Sequence, residues 1–253
     1  MAHLSVNVNK IATLRNSRGG NIPDLLQISG MILDSGADGI TIHPREDERH
    51  ITKEDVFALS DFLKNYNHTK KTNKEFNIEG EPSQRFLDIV LAVKPNQVTL
   101  VPVTPGEITS DHGFALKDPS VRSSLEPIIQ KIKAENMRVS LFMETDMSSY
   151  SIAKEIGADR IELYTGPFAH VYDESEELGK KIFLDFIHAA EAASKLGLGV
   201  NAGHDLDTNN LKVFSKLPHL MEVSIGHRLV SQSLVDGIEK TIKQYLKILS
   251  PNV

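Results

Sequence analysis

The chain has 253 residues, a formal net charge of −6, 40% hydrophobic and 25% charged residues, and no cysteine. The acidic balance excludes the broad basic face with which a nucleic-acid binder neutralises phosphates, but it leaves room for small phosphorylated ligands held by a few local cations. Without cysteine there are no disulfides, thiolate metal sites or thiol nucleophiles. MAHLSVNVNK has no basic-then-apolar leader pattern, and no apolar run nears the ~20 residues of a membrane span, so a cytoplasmic protein with no membrane partner is expected.

Short apolar, β-branched runs predict strands, and apolar residues three and four apart predict helices. In chain order the strands fall at 4–8, 39–43, 76–79, 97–102, 138–143, 160–165, 199–202 and 221–225. Helical spacing marks 25–33, 56–63, 86–93, 125–132, 152–156, 182–193, 211–214 and 229–249. Two joins echo each other, Ser35-Gly36-Ala37-Asp38-Gly39 and Ile156-Gly157-Ala158-Asp159-Arg160. Each ends a helix and launches a strand, with glycine placed for a left-handed cap.

This alternation, without a Pro-, Gly- or Ser-rich linker, predicts an α/β fold: one domain over 1–253, a closed (β/α)8 TIM barrel with extra helical segments. A doubly wound open sheet is the alternative. Long connections at 103–119 and 166–177 follow the fourth and sixth strands, on the face where barrel enzymes keep their sites. They read as lids or binding loops. The stretch from Ser175 to Leu196, with Phe183, Phe186 and Ile187, reads as a core-packing helix started by Glu174, Glu176 and Glu177.

Residues two apart share a strand face. Asn7 and Asn9, Thr41 and His43, Asn77 and Glu79, Glu162 and Tyr164, and Glu222 and Ser224 form one set; the other parity, such as Ile40 and Ile42 or Ile161 and Leu163, is apolar and belongs under the helices. The polar set therefore points inward, where carboxylates, amides and imidazoles cost free energy unless they pair. One such residue means little. The collection reads as an active site.

Asn7 to Gly19 reads Asn-Val-Asn-Lys-Ile-Ala-Thr-Leu-Arg-Asn-Ser-Arg-Gly, and Ile42 to Ile51 reads Ile-His-Pro-Arg-Glu-Asp-Glu-Arg-His-Ile. Asn77-Ile78-Glu79, Leu100-Val101-Pro102, Ile161-Glu162-Leu163, Val200-Asn201-Ala202-Gly203-His204 and Ile225-Gly226-His227 follow. In this order the chain resembles the pyridoxine 5′-phosphate synthase family from first strand to last helix. The resemblance implies condensation of 1-deoxy-D-xylulose 5-phosphate with 3-amino-2-oxopropyl phosphate, no metal or organic cofactor, and homo-oligomers, namely octamers of barrels. It implies His43 and Glu79 as proton acceptors, His204 as proton donor and Glu162 as stabiliser of charged intermediates. Asn9, Lys10, Arg18, Arg45, His50 and Thr109 are then expected on deoxyxylulose phosphate, and Asn7, Asp205, Gly226 and His227 at the second substrate. Arg15 and Arg49 read as solvated loop arginines.

Four positions depart from the family pattern. Asn9 and Lys10 stand where Asp and His are usual, Asp205 where Gly is usual, and Tyr164 where His is common. Asp205 is expected to turn away and cap the following helix; otherwise its charge alters phosphate binding there. These departures motivate a rival, a phosphosugar-binding barrel without catalysis. Another is a phosphosugar isomerase or aldolase, the latter with Lys10 as Schiff-base lysine. His43, His50 and Glu79 have no recognised metal-ligand spacing.

Overall fold

The computed structural model describes residues 2–104 and 110–250. Its first half runs β1 (His3–Asn7), α1 (Asn9–Asn16), α2 (Leu25–Asp34), β2 (Gly39–Ile42), α3 (Lys53–Lys70), β3 (Glu75–Gly80), α4 (Gln84–Val93) and β4 (Gln97–Leu100). Then come α5 (Pro119–Ala134), β5 (Arg138–Met143), a single 3-10 turn, α6 (Tyr150–Glu155), β6 (Arg160–Tyr164), α7 (Gly166–Glu174), α8 (Glu176–Lys195) and β7 (Gly199–Gly203). The chain finishes with α9 (Leu211–Phe214), β8 (Leu220–Ile225), α10 (His227–Asp236) and α11 (Ile238–Leu249). Each strand pairs in parallel with the next, and β1 pairs with β8 (Ser5 opposite Ser224), which closes the barrel and rules out the open sheet.

The helices start where short polar side chains can take a free backbone N–H. Asp24, Thr52, Ser83, Asp118 and Ser175 each accept from an amide of the following turn, and Thr52 with Asp55 forms a reciprocal capping box. The two echoing joins do the same work at opposite sides of the barrel. Gly36 and Gly157 turn with φ of +113° and +104°. The aspartate two residues on then accepts from the strand before, Asp38 from Leu4 N and Asp159 from Val139 N, both at 2.9 Å. Each Gly-Ala-Asp unit thus ends a helix and locks strand register at once.

The outer parity of the strands is apolar and fully covered by helices: Val6, Ile40, Ile42, Ile78, Val98, Ile161 and Leu163 are all 0% exposed. The inner parity is a polar network. Ser5 and Thr41 hydroxyls lie 2.7 Å apart, Asn77 donates to Thr41, and Thr99 donates to Asn77. Nearer the N-terminal end, Arg138 donates to Gln97 at 2.8 Å, Arg160 donates to Asn201 at 3.0 Å and lies 3.6 Å from Glu222.

Three elements differ from the sequence expectation. The first strand stops at Asn7, and Asn9 and Lys10 begin α1, where Ile11 and Ala12 pack inward. The connection at 166–177 is mostly helix α7, because Pro167 is tolerated in a first helical turn and Phe168 packs on Phe183, Phe186 and Phe214. The final long helix is two, α10 and α11, broken at Gly237. The aromatic group joins α7, α8 and α9, with Phe214 fully buried at its centre. Phe214→Ala is expected to lower unfolding free energy by about 3–5 kcal/mol, read from urea denaturation followed by circular dichroism.

Candidate active site

Successive strand ends around the C-terminal mouth deliver polar side chains to one cavity of about 530 Å³. Asn7 ends β1, His43 follows β2, Glu79 lies near the end of β3, Glu162 points in from β6, His204 follows β7, and Gly226 and His227 open α10. Parallel strands all point the same way, so their ends share one rim, which is why residues 197 positions apart in number, such as Asn7 and His204, meet.

Glu79 sits at the centre. Its Oε2 accepts from Asn7 Nδ2 at 3.3 Å and lies 4.0 Å from His43 Nδ1, while Oε1 accepts from Ser224 Oγ at 3.4 Å. Burial pushes its carboxyl up to about 7, against the pull of His204, Ser224, Arg45 and Asn7. Glu162 is 3% exposed, and its carboxyl lies well above the usual carboxylate range, first through burial and then through the charges of Glu79 and Glu222. Room for it comes from Gly203, where a Cβ would collide with Glu162 Oε1 and sit 2.9 Å from Ser224 O.

The imidazoles are tuned the other way. Burial, then Arg45, His50 and Arg49, holds His43 well below its usual value. Burial, then Arg45, Lys10 and Arg49, brings His50 down to about 4. Both rings are therefore neutral near pH 7. His50 Nδ1 accepts from Ile51 N at 2.9 Å, which leaves its Nε2 as the N–H donor. At neutral pH the cavity thus holds a half-ionised Glu79 and the neutral His43 and His50 rings, beside a Glu162 carboxyl displaced towards its protonated form.

Groups able to hold an anion fall at two places. Lys10, Arg45, Arg49 and His50 form one wall, where Arg45 NH2 donates to Ser110 Oγ at 3.4 Å. The other is the first turn of α10, where Gly226 at the N-cap and His227 line the cavity and, among the described residues, no side chain caps the helix. Among the described residues no group of three His, Cys, Asp or Glu side chains is arranged to hold a metal ion.

A family model described as "Pyridoxal phosphate biosynthesis protein PdxJ" matches residues 4–251. The chain belongs to the PdxJ family. Curated relatives called pyridoxine 5′-phosphate synthase include one from Leptospira biflexa serovar Patoc, 66% identical over 99% of this chain and 98% of the relative. Another, from Parabacteroides distasonis, is 45% identical over 99% of this chain and 100% of its own length. A solved tryptophan synthase from Mycobacterium tuberculosis superposes with a TM-score of 0.65 at 10% identity, covering 98% of this chain and 92% of that one, a likeness of fold alone.

The expected site residues of this PdxJ member divide as follows. Asn7, Asn9, Lys10, His43, Arg45, His50, Glu79, Glu162, His204, Asp205, Gly226 and His227 all line the cavity. Arg18 is exposed beyond α1 and does not line it. Thr109 lies outside the described residues. Asn9 Oδ1 accepts from His43 N at 3.0 Å, a task an amide oxygen performs as a carboxylate would. Asp205 does not cap α9; its Oδ2 lies 2.8 Å from His204 Nδ1, and the turn before α9 is held by Asp207 and Asn210 instead.

Of the two arginines read as solvated, Arg15 is locked to Asp55 by a bidentate pair of 2.6 and 2.7 Å. Arg49 lines the cavity rim while pairing with Asp47. Sequence reasoning also passed over Thr13, Val101, Ser110, Phe142 and His170, which line the cavity from α1, from the segments after β4, from β5 and from α7. Phe142 shares the inward parity of Ser140, so strand alternation would have found it. His170 became visible only with α7.

Glu79 makes the tuning measurable. Its folded-state value of about 7 exceeds the ordinary 4.5. The folded protein thus binds this proton more tightly than the unfolded chain, so the stability it contributes is lost as pH rises from about 4.5 to about 7 and the loss levels off above that. Glu79→Gln should therefore melt at higher temperature than wild type near pH 8, by about 2 kcal/mol of stability, with the gap narrowing towards pH 5; calorimetric scans at several pH values read it.

Proposed function

We propose that this chain condenses 1-deoxy-D-xylulose 5-phosphate with 3-amino-2-oxopropyl phosphate to give pyridoxine 5′-phosphate, inorganic phosphate and water. One observation carries the reading: Glu79, His43 and His204 share a single cavity with cations on one wall and the open first turn of α10 on another. The reaction needs an amine to add to a ketone, water and phosphate to leave, and protons to move at several carbons of one intermediate. Several acid–base groups around one bound molecule suit that sequence.

In this reading the deoxyxylulose phosphate lies against Lys10, Arg45 and His50, with Asn9 and Thr109 contributing, and Arg49 and Ser110 join them. The second phosphate lies on the α10 amides with Asn7, Gly226 and His227. Neutral His43 and half-ionised Glu79 accept protons, and His204 returns one to a leaving group. Glu162 supplies negative charge when a cationic imine forms beside it, since a nearby cation draws a buried carboxyl back towards ionisation. A bound phosphate dianion also offsets the cations that depress His43 and makes it a stronger base once substrate is present. Arg18 stands outside this set. The same reading places the protein in the cytoplasm as a homo-oligomer, an octamer by the family resemblance.

An aldolase would need its Schiff-base lysine desolvated inside the barrel. Lys10 is exposed in the first turn of α1. A binding barrel without catalysis is disfavoured by synthase relatives at 45–66% identity over nearly the whole chain. The test is incubation of the purified protein with both phosphorylated substrates, following pyridoxine 5′-phosphate by its absorbance. Product should form only with both present, and Glu79→Gln should lower turnover by about 10²–10⁴-fold while remaining folded. Retained affinity for both substrates with no product contradicts the reading, and unchanged turnover in the variant removes Glu79 from its role.

A further inference from the structure

His204 and Asp205 leave β7 in an unusual way. Both have positive φ, +91° and +56°, a region that only a few per cent of residues other than glycine occupy. Such conformations persist when the surroundings over-determine them. Here the surroundings are specific. Thr165 Oγ1 donates to Gly203 O at 2.7 Å and also to His204 O. The Tyr164 ring meets the His204 ring edge-on, 5.1 Å between centroids at 81°. Tyr164 can lie there because Gly166 has no side chain; a Cβ would collide with the tyrosine hydroxyl. The backbone turn, the tyrosine and Asp205 together leave the imidazole little freedom to rotate.

Asp205 is itself aimed. Its Oδ2 lies 2.8 Å from His204 Nδ1 and 3.7 Å from His170 Nε2 of α7. Its Oδ1 lies 3.8 Å from Arg228 Nε of α10, and Arg228 is fixed in turn by Asp207 at 2.7 Å and by Asp173 of α7. Across the cavity, the charge of His204 is also felt by Glu79 of β3. The Asp205 carboxyl is held below its usual range, first by the His204 hydrogen bond, against burial, with Arg228 and His170 adding to the effect. A carboxylate so committed is a poor contact for a dianionic phosphate and a good partner for an imidazole N–H.

From this geometry we infer that Asp205 is a positioning residue for His204: it accepts the Nδ1 proton, fixes the ring's tautomer and orientation, and reserves Nε2 for proton delivery. The inference deepens the acid–base reading above and rests on it for its link to turnover. The physical logic is that of any carboxylate–histidine pair, in which the hydrogen bond at one ring nitrogen decides what the other can do.

Asp205→Gly and Asp205→Asn of the full chain test this with the two substrates named above. Glycine adopts φ of +56° without strain, so the first variant should keep the fold, which circular dichroism checks. In both, kcat should fall about 10–100-fold, part of what a positioned acid contributes, while KM for each substrate changes less than about threefold. Nitrogen-15 NMR of labelled histidine, assigned with His204→Gln, should show the neutral His204 ring protonated at Nδ1 in wild type and largely at Nε2 in Asp205→Gly. Turnover within threefold of wild type in Asp205→Gly, a loss confined to KM, or an unchanged tautomer would overturn the inference. Wild-type protein that makes no product sinks the proposed function instead, and the NMR spectrum still decides the ring's tautomer.

Discussion

Taking carboxyl groups out of water inside a closed cylinder is the constraint on which the rest of this structure depends. A parallel barrel leaves its inner face no exit to solvent except the two ends, so any ionisable group there must be paired, neutralised or set at the mouth. Glu79 and Glu162 take the last two courses. Both are raised by burial, and Glu162 is raised further by the charge of Glu79. Arg45 partly offsets this at Glu79, while Arg45 and Arg49 depress His43 and, together with Lys10, His50. The free site is therefore rich in groups displaced towards neutrality from both sides, the condition in which protons move at small cost near pH 7.

The two ends of the barrel interior treat the same problem differently. Towards the N-terminal end, Glu222 is also raised to about 7, yet it lies 3.6 Å from Arg160 within a network of Gln97, Asn201 and Arg138. That network is closed upon itself. At the mouth, His43 Nε2 and Glu162 Oε2 are buried without a hydrogen-bond partner among the described residues. A shifted carboxyl alone does not distinguish the two ends. The cavity does: His43 and Glu162 line it, so a ligand there can complete their unpartnered atoms, whereas Ser140 Oγ and Arg122 Nε, also unpartnered among the described residues, belong to residues that do not line it.

Much of this was legible in the residues. The apolar parity at Ile40, Ile42, Ile161 and Leu163 is a covered outer face, and the opposite parity at Thr41, Asn77, Glu79 and Glu162 is the interior; period-two alternation carries that information directly. The Gly-Ala-Asp joins announced helix ends and strand starts because only one backbone path satisfies both. Elements with weak periodicity were not legible. Helix α1 buries only Ile11 and Ala12, and α7 begins with Gly-Pro, which reads as a turn until Phe168 finds the α8 aromatics. Side-chain aim was the least accessible. Asp205 has the composition of a helix cap, and it is the left-handed path at His204 and Asp205 that sends its carboxylate to the imidazole.

The most direct test of the account is a carbon-13 NMR titration of the glutamate side-chain carboxyls in the ligand-free protein, with Glu79 assigned by difference from its glutamine variant. The account predicts a Glu79 midpoint of about 7 and a Glu162 midpoint well above the usual carboxylate range. A Glu79 midpoint at the ordinary 4.5 would contradict it, because the carboxylate would then be solvated and the mouth of the barrel would not hold the protons the chemistry requires.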